Sequence, residues 1–233
     1  MPSVLTDWTA VIPLRAGSKG LPGKNVRELA GKPLYRHSLD LALAAGAKRV
    51  LITTDIPEVL AAHHSDRVQA VQRPADLAGD EVDMAPVMLH ILQAGAVSGP
   101  VVLLQATSPL RQAADVHTAL ALLASGKFEL VMSVTEADPG VLKWGRVQED
   151  ASFEPLADPA HCFANRQSLP RVFRPNGAVY AMMAQWFVSN RGFVSTRIGT
   201  VVMPADRSHD IDNLSDFAHC EQKLAYLANG QHP

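Results

Sequence analysis

Short apolar runs rich in β-branched residues recur along this chain with longer helical patterns between them, and that rhythm narrows the fold more than any other feature. The runs at 10–14 (AVIPL), 49–54 (RVLITT), 68–71, 101–105 (VVLLQ) and 129–134 (ELVMSV) alternate with helical stretches at 34–45, 57–63, 82–96 and 115–123. They are continuously apolar rather than alternating, which is the pattern of strands covered on both faces. The prediction is an α/β fold, an open and mostly parallel sheet between two layers of helices, with its ligand crevice at the carboxyl ends of the strands.

After Thr135 the rhythm breaks. Residues 136–173 hold Pro139, Pro155, Pro159 and Pro170, mixed charges and only brief strand-like pieces such as 143–148. An excursion of this length inside a compact unit reads as a functional flap or an oligomerisation arm. The α/β pattern resumes with strands at 177–183 and 198–203 and a closing helix at about 213–228. Residues 1–233 are therefore read as a single domain, with 136–173 as its excursion.

Composition excludes several classes. With 47% hydrophobic and 19% charged residues the chain can bury a core, unlike a disordered or coiled-coil sequence. The balance of 21 Lys and Arg against 23 Asp and Glu argues against a nucleic-acid or membrane-surface binder, so any positive charge for an anionic ligand must be local. Cys162 and Cys220 show neither a disulfide framework nor zinc spacing, and the start of the sequence lacks a leader pattern. The expected setting is the reducing cytoplasm.

That local charge follows the first strand. The stretch Arg15-Ala-Gly-Ser-Lys-Gly-Leu-Pro-Gly-Lys-Asn25 combines three glycines, which let backbone N–H groups approach an anion, with Arg15, Lys19 and Lys24. It is a polyphosphate cradle by physical type. It is not a Walker A loop, since five residues separate Gly17 from Gly23 and Asn25 follows Lys24, and the GxGxxG fingerprint is absent.

These residues, with Leu29-Ala-Gly-Lys-Pro-Leu34, resemble the opening of the acylneuraminate cytidylyltransferases, the CMP-sialic acid synthetases. Three further blocks resemble the same family in order: Leu104-Gln-Ala-Thr-Ser-Pro-Leu-Arg111, Arg166-Gln-Ser-Leu-Pro170 running into Phe173-Arg-Pro-Asn-Gly-Ala-Val-Tyr180, and Asp210-Ile-Asp212. The resemblance implies a Rossmann-like nucleotidyltransferase fold with a dimerisation excursion. It also implies transfer of CMP from CTP to a nonulosonic acid, with N-acetylneuraminate favoured and release of pyrophosphate. Legionaminic, pseudaminic or ketodeoxyoctonic acid are alternative acceptors, and a non-catalytic nucleotide-binding module is the alternative outside enzymes.

By the same resemblance, Arg15, Gly17, Ser18, Lys19 and Lys24 hold the CTP phosphates while Asn25 and Arg73 help place the cytidine. Asp210 and Asp212 bind Mg²⁺. Gln105, Asn176, Tyr180 and Phe193 belong to the acceptor pocket, and Lys143, Arg166 and Gln167 arrive on the excursion, either from the same subunit or from the partner of a homodimer. Departures are visible too: Ala106 replaces a usual proline, Glu81, Asp83 and Met84 replace hydroxyl residues, and Val194 replaces a second aromatic.

The chemistry suits these residue types. Nucleotidyl transfer requires in-line placement and stabilisation of charge on the leaving pyrophosphate. Arg15 and Lys24 meet the second need. Residues i and i+2 of an extended segment point the same way, so Asp210 and Asp212 can face one hard cation. Asp212 with Mg²⁺ is the expected activator of the acceptor hydroxyl, and helix N-capping is the plain alternative for that aspartate. Histidines at 63, 64, 161 and 219 lack ligand spacing, and neither Ser108 nor Ser168 sits in a nucleophile elbow.

Overall fold

The computed structural model describes residues 5–17 and 20–228. Strand β1 (Thr9–Pro13) leads through a long loop to a small ribbon, β2 (Glu28–Leu29) and β3 (Lys32–Pro33), and to helix α1 (Leu34–Ala44). Then follow β4 (Arg49–Thr54), α2 (Pro57–Ala61), β5 (Val68–Gln72), α3 (Met84–Ala94), β6 (Pro100–Leu103), α4 (Ala113–Ala124) and β7 (Leu130–Ala137). The excursion carries a second ribbon, β8 (Gly145–Val147) with β9 (Phe153–Pro155), and short 3-10 turns. β10 (Val172–Met183), α5 (Ala184–Asn190), β11 (Ile198–Val202) and α6 (Leu214–Ala228) complete the chain.

Seven strands form one sheet in the order β11-β7-β10-β6-β1-β4-β5. All run parallel except β10, which is antiparallel to both β6 and β7. The chain steps outward from β1 through β4 to β5 and then returns to place β6 on the other side of β1. That reversal leaves a crevice beyond the carboxyl ends of β1 and β6, where the two following loops diverge.

With one antiparallel strand the sheet is mostly parallel, as expected; that strand differs from expectation in its length. It starts at Val172, five residues before the apolar run, because its first part pairs with the end of β7 at the root of the excursion. A bulge follows: Pro175 faces Val134, whereas Tyr180 faces Met132. Gly177 occupies this bulge at φ +76°, a left-handed conformation that favours glycine. The stretch at 143–148 is also no single strand, since Lys143 ends a 3-10 turn and pairing starts only at Gly145. α5, seven residues without a side-chain cap, had no sequence signal.

Apolar side chains fill both faces of the sheet. One face joins β1, β4 and β6 residues such as Ile12, Ile52 and Val102 to Leu39 of α1 and Leu120 of α4. The other packs Val11, Leu51 and Leu103 on Met88 and Ile91 of α3 and Phe187 of α5. Each buried side chain of this size contributes about 1.5–3 kcal/mol. A third cluster matters most for the site. Leu21 from the loop after β1, Leu110 from the loop after β6, Ile211 ahead of α6, and Phe217 and Cys220 of α6 share one apolar patch with Leu29 and Leu34.

Candidate active site

The loop after β1 is fixed from below by its own polar residues. Asn25, 5% exposed, donates from Nδ2 to the Arg15 carbonyl oxygen at 3.0 Å. The Ala16 N–H donates to Asp55 Oδ1 at 2.8 Å, tying the loop to the end of β4. Gly23 turns the chain at φ +65°. The Arg15 guanidinium forms an ion pair with Asp80 from the loop ahead of α3. Ser18 and Lys19, both expected to hold phosphate, lie outside the described residues. Gly17 borders open space, with no atom within 4 Å of a Cβ built on it.

The acidic segment reaches the same loop. Lys24 Nζ donates to the Ile211 carbonyl oxygen at 2.6 Å and to Asp212 Oδ1 at 3.0 Å. A Cβ on Gly20 would sit 2.3 Å from the Asp212 carbonyl oxygen, so the two backbones touch and only glycine fits between them. Several bonds hold the segment in place. The Ile211 N–H donates to Thr107 O at 2.9 Å in the loop after β6. Arg207 grips Asp115 of α4 through both terminal nitrogens, at 2.6 and 3.1 Å.

Helix capping falls to other residues. Asn213 Oδ1 accepts from the N–H groups of Ser215 and Asp216, and Asp216 Oδ2 accepts from those of Asp212 and Asn213. That reciprocal pair caps α6. Asp212 takes no part with its side chain, which remains 74% exposed against Lys24. The capping alternative for Asp212 is thereby answered by its neighbours.

Asp210 is exposed as a residue, yet partial desolvation of its carboxyl by the surrounding loops raises the pKa above the ordinary carboxylate range; a hydrogen bond from Thr107 opposes the shift, and the charge of Asp212 adds to it before Lys24 opposes it again. Two carboxylates crowded in this way suit a divalent cation, which would relieve both the desolvation and the repulsion. No cluster of three or more His, Cys, Asp or Glu suited to a metal occurs among the described residues. A cation held here would draw its remaining ligands from phosphate oxygens and water, the usual manner of Mg²⁺.

Arg73, immediately after β5, is nearly buried, 4% exposed, with Nη2 donating to Thr53 O at 3.1 Å and Nε without a partner among the described residues. Burial pushes its pKa down to about 10; Asp55 opposes the shift and the neighbouring Arg15 charge adds to it. Arg73 and Arg15 therefore share one electropositive corner beside Asp55.

On the acceptor side, Gln105 extends from the loop after β6, and its carboxamide forms no hydrogen bond among the described residues. Its Oε1 would lie 2.7 Å from a Cβ on Gly177, so the left-handed glycine makes room for it. Tyr180 and Phe193 pack with their rings tilted at 57° and 5.9 Å between centres, and Phe193 meets Phe187 edge-on at 4.8 Å. Burial raises the Tyr180 pKa, and the charge of Asp210 raises it further.

Asn176 is a correction. Its side chain, 4% exposed, donates to Ser208 Oγ at 2.9 Å and to Met203 Sδ at 3.3 Å. Its oxygen accepts from Ser133 Oγ at 2.5 Å and from the Ala178 N–H at 3.3 Å. The amide is committed inside the protein, where it braces the β10 bulge instead of meeting a substrate. Lys143 and Arg166 find their partners inside the excursion, Lys143 Nζ on Ala164 O at 2.5 Å and Arg166 on Asp138 at 3.0 Å. Gln167 is exposed next to Arg166. None of the three forms a hydrogen bond or ion pair with the crevice loops among the described residues.

Sequence reasoning missed Asp55, Thr107, Arg111 and Arg207, which fix the loops without being reactive themselves. A buried Arg at the end of the Leu104–Arg111 block was the one available signal. A basic glycine loop after the first strand, abutting two carboxylates ahead of the last helix, defines an α/β protein that can hold a polyphosphate beside a cation. The sequence model described as Cytidylyltransferase matches residues 9–191, and the chain belongs to that family.

The chain is 31% identical over 215 residues to the N-acylneuraminate cytidylyltransferase of Escherichia coli O18:K1:H7, covering 91% of this chain and 51% of that one. It is 29% identical over 214 residues to the enzyme of the same name from Streptococcus agalactiae, covering 90% and 51%. The chain thus spans about half the length of these curated relatives. The CMP-N,N'-diacetyllegionaminic acid synthase of Legionella pneumophila is 30% identical over 224 residues, covering 92% of this chain and 95% of its own. In fold, the chain is similar to a CMP:2-keto-3-deoxy-manno-octonic acid synthetase solved with CTP, at TM-score 0.72 and 19% identity, covering 95% and 99%. The 4-diphosphocytidyl-2C-methyl-D-erythritol synthase of Anaerococcus prevotii shares the fold at TM-score 0.61 and 12% identity, covering 94% and 99%.

Proposed function

We propose that the chain transfers the CMP group of CTP to the anomeric hydroxyl of a nonulosonic acid and releases pyrophosphate. The observation that carries this reading is the junction of Lys24 with Asp212, which sets a basic phosphate loop against a carboxylate pair at the switch point of the sheet. A bond forms between the anomeric oxygen and the α-phosphorus while the bond from that phosphorus to the pyrophosphate oxygen breaks.

Arg15 and Lys24 stabilise the charge that gathers on the leaving pyrophosphate, with Gly17, Ser18 and Lys19 completing the cradle. Arg15 must exchange Asp80 for phosphate to do so. Asn25 acts by holding the loop, and Arg73 meets the nucleotide from the corner it shares with Arg15 beside Asp55. Asp210 and Asp212 would hold Mg²⁺, which when bound neutralises phosphate charge and lowers the pKa of a nearby hydroxyl. Asp212, whose side chain is 74% exposed beside Lys24, takes the proton of the attacking hydroxyl.

The unpaired Gln105 carboxamide and the face of Tyr180 and Phe193 receive the sugar. Its carboxylate needs a cation, and Arg166 and Lys143 fill that role from the partner of a homodimer, with Gln167 beside them. Exposed apolar side chains on the excursion support this pairing: Trp144, Phe153 and Phe163 all lie open, Phe163 at 93%. The proposed setting is the cytoplasm; both cysteines are free, and no helix among the described residues is long and apolar enough to cross a membrane.

N-acetylneuraminate is the favoured acceptor. A legionaminic acid is the second reading, favoured by the Legionella relative that matches over 95% of its own length. Pyrophosphate release from CTP, measured with a panel of nonulosonic acids, tests both. Release with N-acetylneuraminate is expected. Release only with another acid reassigns the acceptor, and none with any acid despite Mg²⁺-dependent CTP binding leaves a nucleotide-binding module.

A further inference from the structure

One charged side chain at the centre of the site touches none of the reacting groups. Arg111, 4% exposed, sits behind the loop that follows β6. Its Nε donates to Ser108 O at 2.9 Å and its Nη1 to Ala178 O of β10 at 2.8 Å. Its Nη2 donates to Ser38 Oγ of α1 at 2.9 Å and also to the Gln105 carbonyl oxygen. One planar group thus joins two elements, α1 and β10, to both ends of the Gln105–Ser108 turn.

No carboxylate among the described residues contacts this guanidinium directly. Asp115, the acid whose charge bears on it most, is gripped by Arg207. A buried cation without a direct counter-ion is costly, and burial pushes the Arg111 pKa down to about 9. An arginine retained under that cost, with its donors aimed at backbone carbonyls, fixes geometry; a lysine has one compact charge and cannot reproduce the planar fork.

The turn it fixes serves both halves of the crevice. Gln105, at its start, presents the carboxamide that lies over Gly177. Thr107, inside it, accepts the Ile211 N–H and so anchors the segment from Asp210 to Asp212. Ala178, the β10 partner of Arg111, adjoins the same bulge.

We propose that Arg111 is the positioning residue that sets the acceptor amide and the metal-side carboxylates in register through the Gln105–Ser108 turn. The proposal deepens the cytidylyltransferase reading and rests on it. Loosening the turn separates the incoming hydroxyl from the α-phosphate, while the loop that holds the triphosphate keeps its own ties from Asn25 to the Arg15 carbonyl oxygen and from the Ala16 N–H to Asp55. Misplacement by about 1 Å at a reacting group costs about 100-fold in rate.

The test compares wild type with Arg111→Lys and with Ser38→Ala, which removes a single buried partner of the guanidinium and is the milder change. Pyrophosphate release gives kcat and the KM for the acceptor, CTP affinity is measured in EDTA, and amide hydrogen exchange reports on Ser108 and Ile211. In Arg111→Lys, kcat/KM for the acceptor should fall at least about tenfold, CTP affinity in EDTA should hold within about threefold, and the Ile211 amide should exchange faster. Ser38→Ala should shift the same quantities in the same direction by less.

The proposal is overturned if both variants differ from wild type only in melting temperature, or if CTP affinity falls in parallel with acceptor turnover. It is equally overturned if the Ser108 and Ile211 amides keep wild-type protection in both variants. Wild-type enzyme that releases no pyrophosphate with any acceptor would defeat the cytidylyltransferase reading instead, and amide exchange would still decide the role of Arg111.

Discussion

Lys24 Nζ stands 3.0 Å from Asp212 Oδ1, joining residues 188 positions apart in sequence. The same ammonium reaches the Ile211 carbonyl oxygen at 2.6 Å, so it binds both the backbone and the side chain of the acidic segment. Lys24→Met should lower kcat about 100-fold, the scale of losing one charge-stabilising donor. CTP affinity and turnover measured together check this, and a loss confined to affinity would place Lys24 in binding alone.

Asp210 offers a separation of stability from function. A carboxyl whose pKa is raised on folding is disfavoured as the anion, so the folded state loses stability above the ordinary carboxylate range and regains it as the carboxyl protonates at lower pH. In EDTA at neutral pH, Asp210→Asn should therefore melt above wild type. The difference should vanish at acid pH, while turnover with Mg²⁺ collapses. Calorimetry across pH checks the first half and pyrophosphate release the second.

Capping and catalysis should come apart at the start of α6. Asn213→Ala removes the acceptor of the Ser215 and Asp216 N–H groups and should cost about 1 kcal/mol of stability. Asp212→Ala should leave denaturant stability nearly unchanged and abolish most activity. Matched urea titrations decide it; a loss from Asp212→Ala equal to that from Asn213→Ala would return Asp212 to a capping role.

Gly177→Ala places a methyl 2.7 Å from Gln105 Oε1 at a backbone φ of +76°. The acceptor KM should rise several-fold or more with CTP affinity retained. Steady-state kinetics with each substrate varied in turn make the comparison.

Phe163 on the excursion is 93% exposed and supports no core. Phe163→Glu should weaken self-association in light scattering while leaving the melting temperature of the monomer unchanged. A wild-type monomer that is fully active would remove Lys143 and Arg166 from any shared site.

How far the sequence discloses all this depends on the range of the interaction. β4 falls on the expected residues 49–54 because a strand buried on both faces is apolar throughout. The direction of β10 was hidden, since antiparallel pairing with β6 and β7 depends on where the excursion returns, which local pattern does not encode. Lys24, Asp210 and Asp212 were singled out because phosphate and cation chemistry restricts residue type, and the structure brings Lys24 to 3.0 Å from Asp212. Asn176 was misplaced among substrate contacts, because its partners Ser133 and Ser208 lie 43 and 32 residues away and nothing local announces them. Arg111 and Arg207 escaped for the same reason.

The apolar patch that joins Leu21, Leu110, Ile211 and Phe217 has a consequence for the order of events during synthesis. The basic loop emerges from the ribosome early, yet the Ile211 and Phe217 part of the surface it rests on is translated some 190 residues later, about 10–40 s at ordinary elongation rates. Until then the nascent sheet holds a basic loop with only the Leu29, Leu34 and Leu110 part of its apolar support and without the counter-charge of Asp212. Nucleotide competence should consequently arrive in one step with α6, and a ribosome-bound chain stalled ahead of Asp210 should show a folded sheet that does not retain CTP.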